Sequence, residues 1–200
     1  MTKYPFSAST LHEAQGRNGA LPCAIQPLAR GMVLGGPAFT VETAPGENLM
    51  VHAAITRAPP GSVLVVATGY QNGFEYTYWG DIMTTAAQVK GLAGLVIDGC
   101  VRDVDEIVAS GFPVFCRGPS MLGPGKGSVG SIGEPVRIGA ITVQTGDLVV
   151  ADSDGVVVVP AASKETVLAA AQKRAEAEDA AIVRLRGGET VFDIHGWKQP

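Results

Sequence analysis

The chain has 200 residues, of which 46% are hydrophobic and 17% charged, and its formal net charge is −4. This composition is typical of a globular protein with a sizeable core and excludes a disordered chain. No run of Lys and Arg supplies the basic stripe that nucleic-acid binding needs, and the apolar runs are too short to span a membrane. We therefore expect a soluble, cytoplasmic protein that binds neither nucleic acid nor membrane.

Strand-like and helix-like segments alternate in the first part of the chain. Apolar runs bounded by Gly and Pro predict buried strands, and a capping box from Thr10 to Glu13 predicts a short N-terminal helix. The predicted elements are, in chain order, the short helix that starts at the capping box, a strand at 38–43, a helix at 47–58, a strand at 62–67, a polar and aromatic loop at 68–78, a helix at 81–91, a strand at 94–98, a helix at 103–110 and a strand at 112–116.

The later part of the chain has a different pattern of predicted elements. Short β segments separated by Gly, Asp and Ser fill 136–160, and 163–185 reads as one long helix rich in Ala, Glu, Lys and Arg. Because no repeat or low-complexity linker interrupts the sequence, we interpret 1–200 as a single domain. The order predicts a mixed α/β fold with a β-rich layer and a long C-terminal helix.

Several common catalytic patterns do not occur in the sequence. It contains no glycine-rich phosphate loop, no G-x-S-x-G and no H-E-x-x-H. The widely spaced Cys23, Cys100 and Cys116 argue against a disulfide framework and a structural zinc site. Within a mostly apolar predicted helix, His52 is interpreted as a core or interface histidine in preference to a catalytic one.

One constellation of residues does carry chemistry. Asp81 opens a predicted helix, and the Arg102–Asp103 pair follows a buried strand twenty residues later. That spacing is about the length of a helix plus a strand, which returns the chain to the same edge of a sheet. The amides of Ile82 and Met83 at the helix start favour an anion, and Arg102 offers a bidentate partner for a carboxylate.

The acidic residues of this constellation have two interpretations. Asp103, Asp81 and Glu106 offer hard oxygen ligands that suit Mg²⁺ or Mn²⁺ better than zinc. Alternatively, both aspartates act as N-caps, Glu106 completes a capping variant, and Arg102 forms a surface ion pair. The spacing alone leaves both interpretations open.

Three longer stretches of the sequence resemble a known family. The run WGDIMTTAAQVKGLAGLVIDGCVRDVDEI, with GFPVFCRG and GDLVVADSDGVVVVP, resembles a family with two related groups. One contains the class II pyruvate aldolases acting on 4-hydroxy-4-methyl-2-oxoglutarate and 4-carboxy-4-hydroxy-2-oxoadipate; the other is the regulator of ribonuclease E activity A. The resemblance extends from about Gly35 to Gly196, and its specific motif is Asp81 followed after twenty residues by Arg102-Asp103. It implies a swivelling β/β/α domain that assembles as a homotrimer or hexamer.

The resemblance also implies roles at the metal. Asp103 would anchor the divalent cation, Mg²⁺ or Mn²⁺, and Asp81 would be a second acidic residue that holds its water ligands. Arg102 would contact the pyruvate oxygens and stabilise the enolate. Glu178 would be donated to the site of a neighbouring subunit, with Glu176 as a rival for that role.

Substrate binding is implied at the start of the predicted helix, where Gly80 and the amides of Ile82 and Met83 would hold the pyruvate carboxylate. The implied activity is retro-aldol cleavage of a 4-hydroxy-2-oxo acid to pyruvate, with oxaloacetate decarboxylation as a side reaction. The alternatives are a dedicated oxaloacetate decarboxylase and a non-catalytic, ribonuclease-regulator-like binding protein. The regulators are described as lacking the second Asp of the Arg-Asp pair, which this chain keeps as Asp103.

The sequence departs from the family in one place. Where the aldolases usually show an Asp-Gly-Gly-like turn, this chain has Ala67-Thr68-Gly69-Tyr70, and three aromatic residues follow before Trp79. These aromatic residues either reshape the pocket entrance or pack at a subunit contact. The part of the substrate beyond its pyruvyl end is therefore left open. The three aromatic residues are Phe74, Tyr76 and Tyr78.

Overall fold

The computed structural model describes residues 4–69 and 74–199. A short 3₁₀ turn, Ala161–Ser163, precedes the longest helix. The elements are α1 Ala8–Ala14, β1 Gln26–Pro27, β2 Leu34–Thr43, α2 Leu49–Arg57, β3 Val63–Ala67, β4 Thr77–Trp79, α3 Asp81–Lys90, β5 Gly94–Ile97, β6 Cys100–Val101, α4 Val104–Ser110, β7 Val114–Cys116, β8 Gly118–Pro119, β9 Gly130–Ile132, β10 Val136–Ile138, β11 Ile141–Val143, β12 Leu148–Asp152, β13 Gly155–Val159, α5 Lys164–Arg186 and α6 Val191–His195.

The main sheet follows the strand order β1-β7-β5-β3-β2-β12-β13, and β9 pairs with β2. Strands β2, β3, β5 and β7 run parallel to one another, with α2, α3 and α4 in the connections between them. Parallel strands need such crossovers, which cover the sheet and explain why β3 and β5 are apolar along their whole length. Because β1 and β13 at the two ends contact each other, the sheet is nearly closed.

The two faces of the central strands pack against different layers. Since side chains alternate along a strand, Leu64 and Val66 pack with the α2–α4 layer, whereas Val63 and Val65 pack with the β10–β11 hairpin. Each such fully buried side chain stabilises the fold by roughly 1.5–3 kcal/mol. The order hairpin, sheet, helices confirms the predicted β/β/α, mixed α/β fold class.

A third group of buried apolar residues, separate from those on the two sheet faces, joins α1 and α5 to the antiparallel strands β12 and β13. On α5 the buried residues are Val167 and Ala171, both in its first half. The distal half is exposed and carries Ile182, Val183 and Leu185 on its surface. The predicted long C-terminal helix is thus confirmed, and its second half has few apolar contacts within the chain.

A separate three-stranded sheet, β4-β6-β8, positions the functional residues. Strand β4 leads directly into α3, and β6 leads into the turn before α4. The two strands are parallel, with Trp79 opposite Val101, and the Arg102 N–H donates to the Trp79 carbonyl at 3.0 Å. The turns that follow the two strands therefore lie side by side.

Two predicted boundaries are wrong. Helix α1 starts before the proposed capping box, because Ser7 is its N-cap and accepts a hydrogen bond from the Thr10 N–H at 3.1 Å. The loop predicted at 68–78 ends earlier, since β4 begins at Thr77. Its segment 70–73 lies outside the described residues. In the described part of the chain, none of the helices combines the length and apolar character that crossing a membrane requires.

Candidate active site

A cavity of about 270 Å³ opens where α2, the start of α3, the β6–α4 turn and the loop 123–126 meet. Its wall combines apolar side chains with two cationic groups, one carboxylate, an amide and an imidazole. The lining residues are Asn48, His52, Thr77, Trp79, Gly80, Ile82, Met83, Arg102, Asp103, Gly123, Pro124 and Lys126.

The N-terminus of α3 forms one side of this cavity. Gly80 is the N-cap, and the first N–H groups of a helix have no partner within it, so they favour an anion. The beginning of the helix is fixed from behind by Trp79, whose Nε1–H donates to Thr84 Oγ1 at 2.7 Å and whose ring stacks on Phe112. The sequence-predicted residues Gly80, Ile82 and Met83 all line the cavity.

The side chain of Asp103 does not cap the helix that it precedes. Asp103 occupies the N-cap position of α4 in the left-handed conformation, with φ 58°, and makes no capping hydrogen bond there. Its Oδ2 instead accepts from the Asp81 N–H at 3.0 Å. Positive φ is uncommon outside glycine, although Asp tolerates it better than most residues. The N-cap interpretation of Asp103 is therefore wrong for its side chain, and that of Asp81 is wrong because Asp81 is already helical.

Glycine at position 80 is required by this arrangement. A Cβ on Gly80 would lie 2.5 Å from Asp103 Oδ2, which is closer than side-chain contacts allow. The backbone of Gly80 is extended, so the requirement comes from the approach of Asp103 and not from backbone strain. Gly80 thus lets the carboxylate reach the start of α3.

Arg102 lies beside this carboxylate without a tight ion pair. Its Nε is 3.8 Å from Asp103 Oδ2, and the two side chains are 49% and 41% exposed. An exposed pair at that distance contributes little to stability. The guanidinium can consequently rearrange to bind an anion in the cavity.

The opposite side of the cavity holds a linked set of polar side chains. Lys126 Nζ donates to Asn48 Oδ1 at 2.6 Å and lies 3.1 Å from His52 Nε2. Burial, together with the Lys126 charge, lowers the pKa of His52, which keeps the imidazole neutral and able to accept from the ammonium. The structure thus places His52 in the cavity wall and not in the core. The interface position that the sequence equally allowed stays a prediction.

Two further residues of the cavity wall, Lys126 and Asn48, were not predicted from the sequence. Asn48 is buried, and its Nδ2 donates to the Tyr78 carbonyl at 3.1 Å. Lys126 stands in the run Gly123-Pro-Gly-Lys-Gly127, which carries no helix or strand pattern. The glycines on both sides of the lysine were the available signal, because they indicate a close backbone approach.

The remaining sequence-predicted acidic residues do not line the cavity. Asp81 is adjacent, through its N–H, and Glu106 is exposed on α4. On α5, Glu178 pairs with Arg174 at 2.8 Å, and Glu176 accepts from a glutamine one turn away. A role for Glu178 or Glu176 in a neighbouring subunit stays a prediction.

The chemistry of Asp103 fits a hard divalent cation with few protein ligands. Among residues 4–69 and 74–199, no three His, Cys, Asp or Glu side chains are grouped to hold a metal. Mg²⁺ commonly keeps several waters and uses one or two protein carboxylates together with substrate oxygens. Asp103, the carboxylate in the described cavity wall, suits that mode, and a structural zinc site with four protein ligands does not fit.

The aromatic residues before Trp79 have other contacts. Phe74 stacks on the Arg117 guanidinium at 3.7 Å, beside a second cavity. Tyr78 is fully buried, and its hydroxyl accepts from the Gly46 N–H at 2.8 Å. Together with Tyr76, which lies against Gly46, they are absent from the described lining of the main cavity.

The cysteines are free thiols, with Cys23 exposed and Cys100 and Cys116 buried. Burial raises the pKa of Cys116 to about 11 and raises that of Cys100. These two thiols are therefore protonated at neutral pH, which argues against a nucleophilic role for them.

Comparison with known proteins identifies the family of the chain. The family model "RraA-like: Aldolase/RraA" matches residues 8–158. A protein of Halalkalibacterium halodurans named "Putative 4-hydroxy-4-methyl-2-oxoglutarate aldolase" is 38% identical over 164 residues, which are 82% of this chain and 77% of that protein.

Two solved structures share the fold along almost the whole chain. An uncharacterized protein from Pseudomonas syringae pv. tomato has a TM-score of 0.86 at 32% identity, covering 97% of this chain and 91% of its own. Streptomyces coelicolor RraAS2, described as an unusual member of the RNase ES inhibitor RraA protein family, has a TM-score of 0.75 at 29% identity, covering 92% and 93%. The matched family model and these relatives together show that the chain belongs to the RraA-like family of aldolases and RraA proteins.

Proposed function

We propose that this protein is a divalent-metal-dependent lyase that cleaves the C3–C4 bond of a 4-hydroxy-2-oxo acid and releases pyruvate. The observation that carries the proposal is the convergence of Arg102, Asp103 and the α3 N-terminus on one cavity. This arrangement offers a carboxylate site, a cation site and a donor for a developing negative charge. The aldolase name of the Halalkalibacterium relative supports the same activity.

In the proposed mechanism, the first-turn amides of α3 at Ile82 and Met83 hold the pyruvyl carboxylate. As the C3–C4 bond breaks, its electron pair forms the pyruvate enolate, and Arg102 donates to the oxygen that gains charge. Asp103 is the residue that would hold Mg²⁺ or Mn²⁺, which when bound supplies Lewis-acid polarisation of the 2-oxo group.

The C4 hydroxyl loses its proton in the same step, and the enolate carbon later gains one. Asp81, next to the cavity, and Glu178 from a neighbouring subunit are the proposed groups that orient the accepting water. We propose a homotrimer or hexamer because the exposed apolar side chains of distal α5 need a partner. The cytoplasmic location stays a prediction.

Two alternatives remain as competing proposals. A dedicated oxaloacetate decarboxylase would use the same groups, since loss of CO₂ from oxaloacetate gives the same enolate. A non-catalytic binding protein is suggested by the RraA name of the Streptomyces relative. The placement of Asp103 in the cavity favours the lyase, because a binding protein has no need of a left-handed aspartate there.

The decisive experiment is a substrate panel with enzyme-coupled detection of pyruvate, with Mg²⁺ and with excess chelator. We expect pyruvate from 4-hydroxy-4-methyl-2-oxoglutarate or a related 4-hydroxy-2-oxo acid, and a higher kcat/KM than for oxaloacetate. A higher kcat/KM on oxaloacetate supports the decarboxylase. Release of pyruvate from no member of the panel refutes the lyase proposal.

A further inference from the structure

The ammonium of Lys126 is a cationic group of the cavity that the proposed chemistry at the pyruvyl end does not use. Arg102 and Lys126 both belong to the lining, on the α4 side and on the loop side. Arg102 has Asp103 nearby, whereas Lys126 forms no ion pair with any of the residues that the structure describes. A ligand that carries a second anionic group could form an ion pair with Lys126.

The position of Lys126 is fixed by its neighbours in sequence. The Gly125 N–H donates to the Gly46 carbonyl at 2.7 Å, and the Gly127 N–H donates to Glu47 Oε2. A Cβ at Gly125 would lie 2.5 Å from Glu47 Oε2, and one at Gly127 would lie 2.9 Å from its carboxyl carbon. Glycine is therefore required at 125 and 127 for close packing against Glu47, and this packing fixes the backbone position of Lys126 between them.

The head group of Lys126 is fixed as well. Asn48 is 4% exposed, and because its Nδ2 is used by the Tyr78 carbonyl, its Oδ1 is oriented as the acceptor for Lys126. The neutral His52 ring accepts a second hydrogen bond from this ammonium, at Nε2. An ammonium has three donors, so one N–H is left for a ligand.

We propose that Lys126 is the specificity-determining residue that binds the substrate's second carboxylate, on the far side of the C3–C4 bond, with Asn48 and His52 as positioning residues. The choice of reaction rests on the proposed function, but the binding of a dicarboxylate is a separate property. A charge-assisted hydrogen bond from a fixed ammonium favours a carboxylate over a methyl group at this end. A monocarboxylate would leave the ammonium partly desolvated without an anion.

Binding is tested first, without turnover. The probes are 2-oxoglutarate and 2-oxopentanoate, which have the same five-carbon chain and 2-oxo group and differ in a terminal carboxylate or methyl. Titration calorimetry with the full chain, with and without Mg²⁺, should show 2-oxoglutarate binding roughly 10- to 100-fold tighter. In Lys126→Gln the difference should fall to within about threefold.

The matched control is Lys90→Gln, which removes the same charge at the far end of α3, outside the cavity lining. It should keep the wild-type preference. Equal affinity of the wild type for both probes overturns the proposal, as does an unchanged preference in Lys126→Gln. Thermal unfolding of both variants checks that the fold is intact.

Turnover separates this inference from the proposed function. Lys126→Gln should raise KM for 4-hydroxy-4-methyl-2-oxoglutarate roughly 10-fold or more, with kcat and the KM for 4-hydroxy-2-oxopentanoate nearly unchanged. An equal loss of kcat on both substrates would place Lys126 at the pyruvyl end and overturn the inference. Preference for 2-oxoglutarate without any pyruvate release would refute the lyase and leave the carboxylate subsite intact.

Discussion

Asp103 Oδ2 accepts a hydrogen bond at 3.0 Å from the backbone N–H of Asp81, the residue that opens a different helix. One carboxylate thereby links the starts of α3 and α4. Both turns follow paired strands of one small parallel sheet. This sheet therefore fixes the relative positions of the α3 amides, the Arg102 guanidinium and the Asp103 carboxylate. A change in either turn should therefore affect the site as a unit.

The close approach at Gly80 gives the first prediction. In Gly80→Ala the new methyl would overlap Asp103 Oδ2, so the carboxylate must move and divalent-cation affinity should fall at least roughly 10-fold. Mn²⁺ binding followed by electron paramagnetic resonance measures this effect. Gly123→Ala is the control, since a Cβ there meets no atom within 4 Å and should leave Mn²⁺ affinity unchanged. Equal Mn²⁺ affinity in both variants contradicts the steric argument.

Metal dependence gives the second prediction. Excess chelator should abolish pyruvate release, and Mg²⁺ or Mn²⁺ should restore it better than Zn²⁺, which prefers nitrogen and sulfur ligands. Asp103→Asn should lose Mn²⁺ binding, whereas Asp105→Asn, at an exposed acid in the first turn of α4, should keep it. Full activity in chelator would refute the proposed mechanism.

The third prediction concerns the shape of Arg102. Lysine keeps the charge but not the planar fork, so Arg102→Lys should lower kcat by about 10² to 10³, or roughly 3–4 kcal/mol. The melting temperature should hardly change, because the side chain is 49% exposed and its ion pair is long. A kcat within twofold of the wild type would instead assign Arg102 to a surface role.

The fourth prediction uses the pKa of His52, which burial and then the Lys126 charge lower. The unfolded chain then binds a proton more readily than the folded one. Stability should accordingly be full above the ordinary histidine pKa of about 6.5 and decrease as pH falls toward the lowered folded value. Melting temperatures at pH 5 to 8 should fall less steeply on acidification in His52→Gln. Identical pH profiles for the two proteins contradict the assignment.

The fifth prediction tests a shared site. Asp103→Ala and Glu178→Ala should each be nearly inactive alone, yet co-refolding them should restore part of the activity through interfaces that keep both wild-type residues. Glu176→Ala is the matched control and should stay active. Since the Glu178–Arg174 pair is exposed, its loss should cost little stability. A mixed oligomer with no recovered activity would leave Glu178 as a solvated surface charge.

The main sheet and the pairing of the two motif turns were predictable from sequence. The predicted strands 62–67 and 94–98 are apolar apart from Ser62 and Asp98 at their ends, and a helix plus a strand separates Asp81 from Arg102. The strands that bring the turns together, β4 and β6, have three and two residues, too few for a hydrophobic period to be visible.

The rest of the site depends on contacts between distant segments. Lys126 is positioned by Glu47, which is far away in sequence, and no local pattern records that pairing. The sequence does not place His52 in the cavity wall, because its helix buries Val51, Ala54 and Ile55, and an apolar helix predicts a core or interface position for its residues. The side-chain direction of Asp103 follows from its left-handed φ. The local run Arg-Asp-Val-Asp-Glu is equally compatible with an ordinary N-cap, so it does not reveal this conformation.

Trp79 can also serve as an intrinsic fluorescent probe of ligand binding. The chain has two tryptophans: Trp79 is 1% exposed in the wall of the cavity, and Trp197 is 59% exposed near the C-terminus. Exchanging Trp197 for phenylalanine would leave one indole, shielded from quenchers and hydrogen-bonded to Thr84 at the start of α3. Its emission would respond to charge arriving at that helix end, so ligand binding becomes visible without any label or coupled assay.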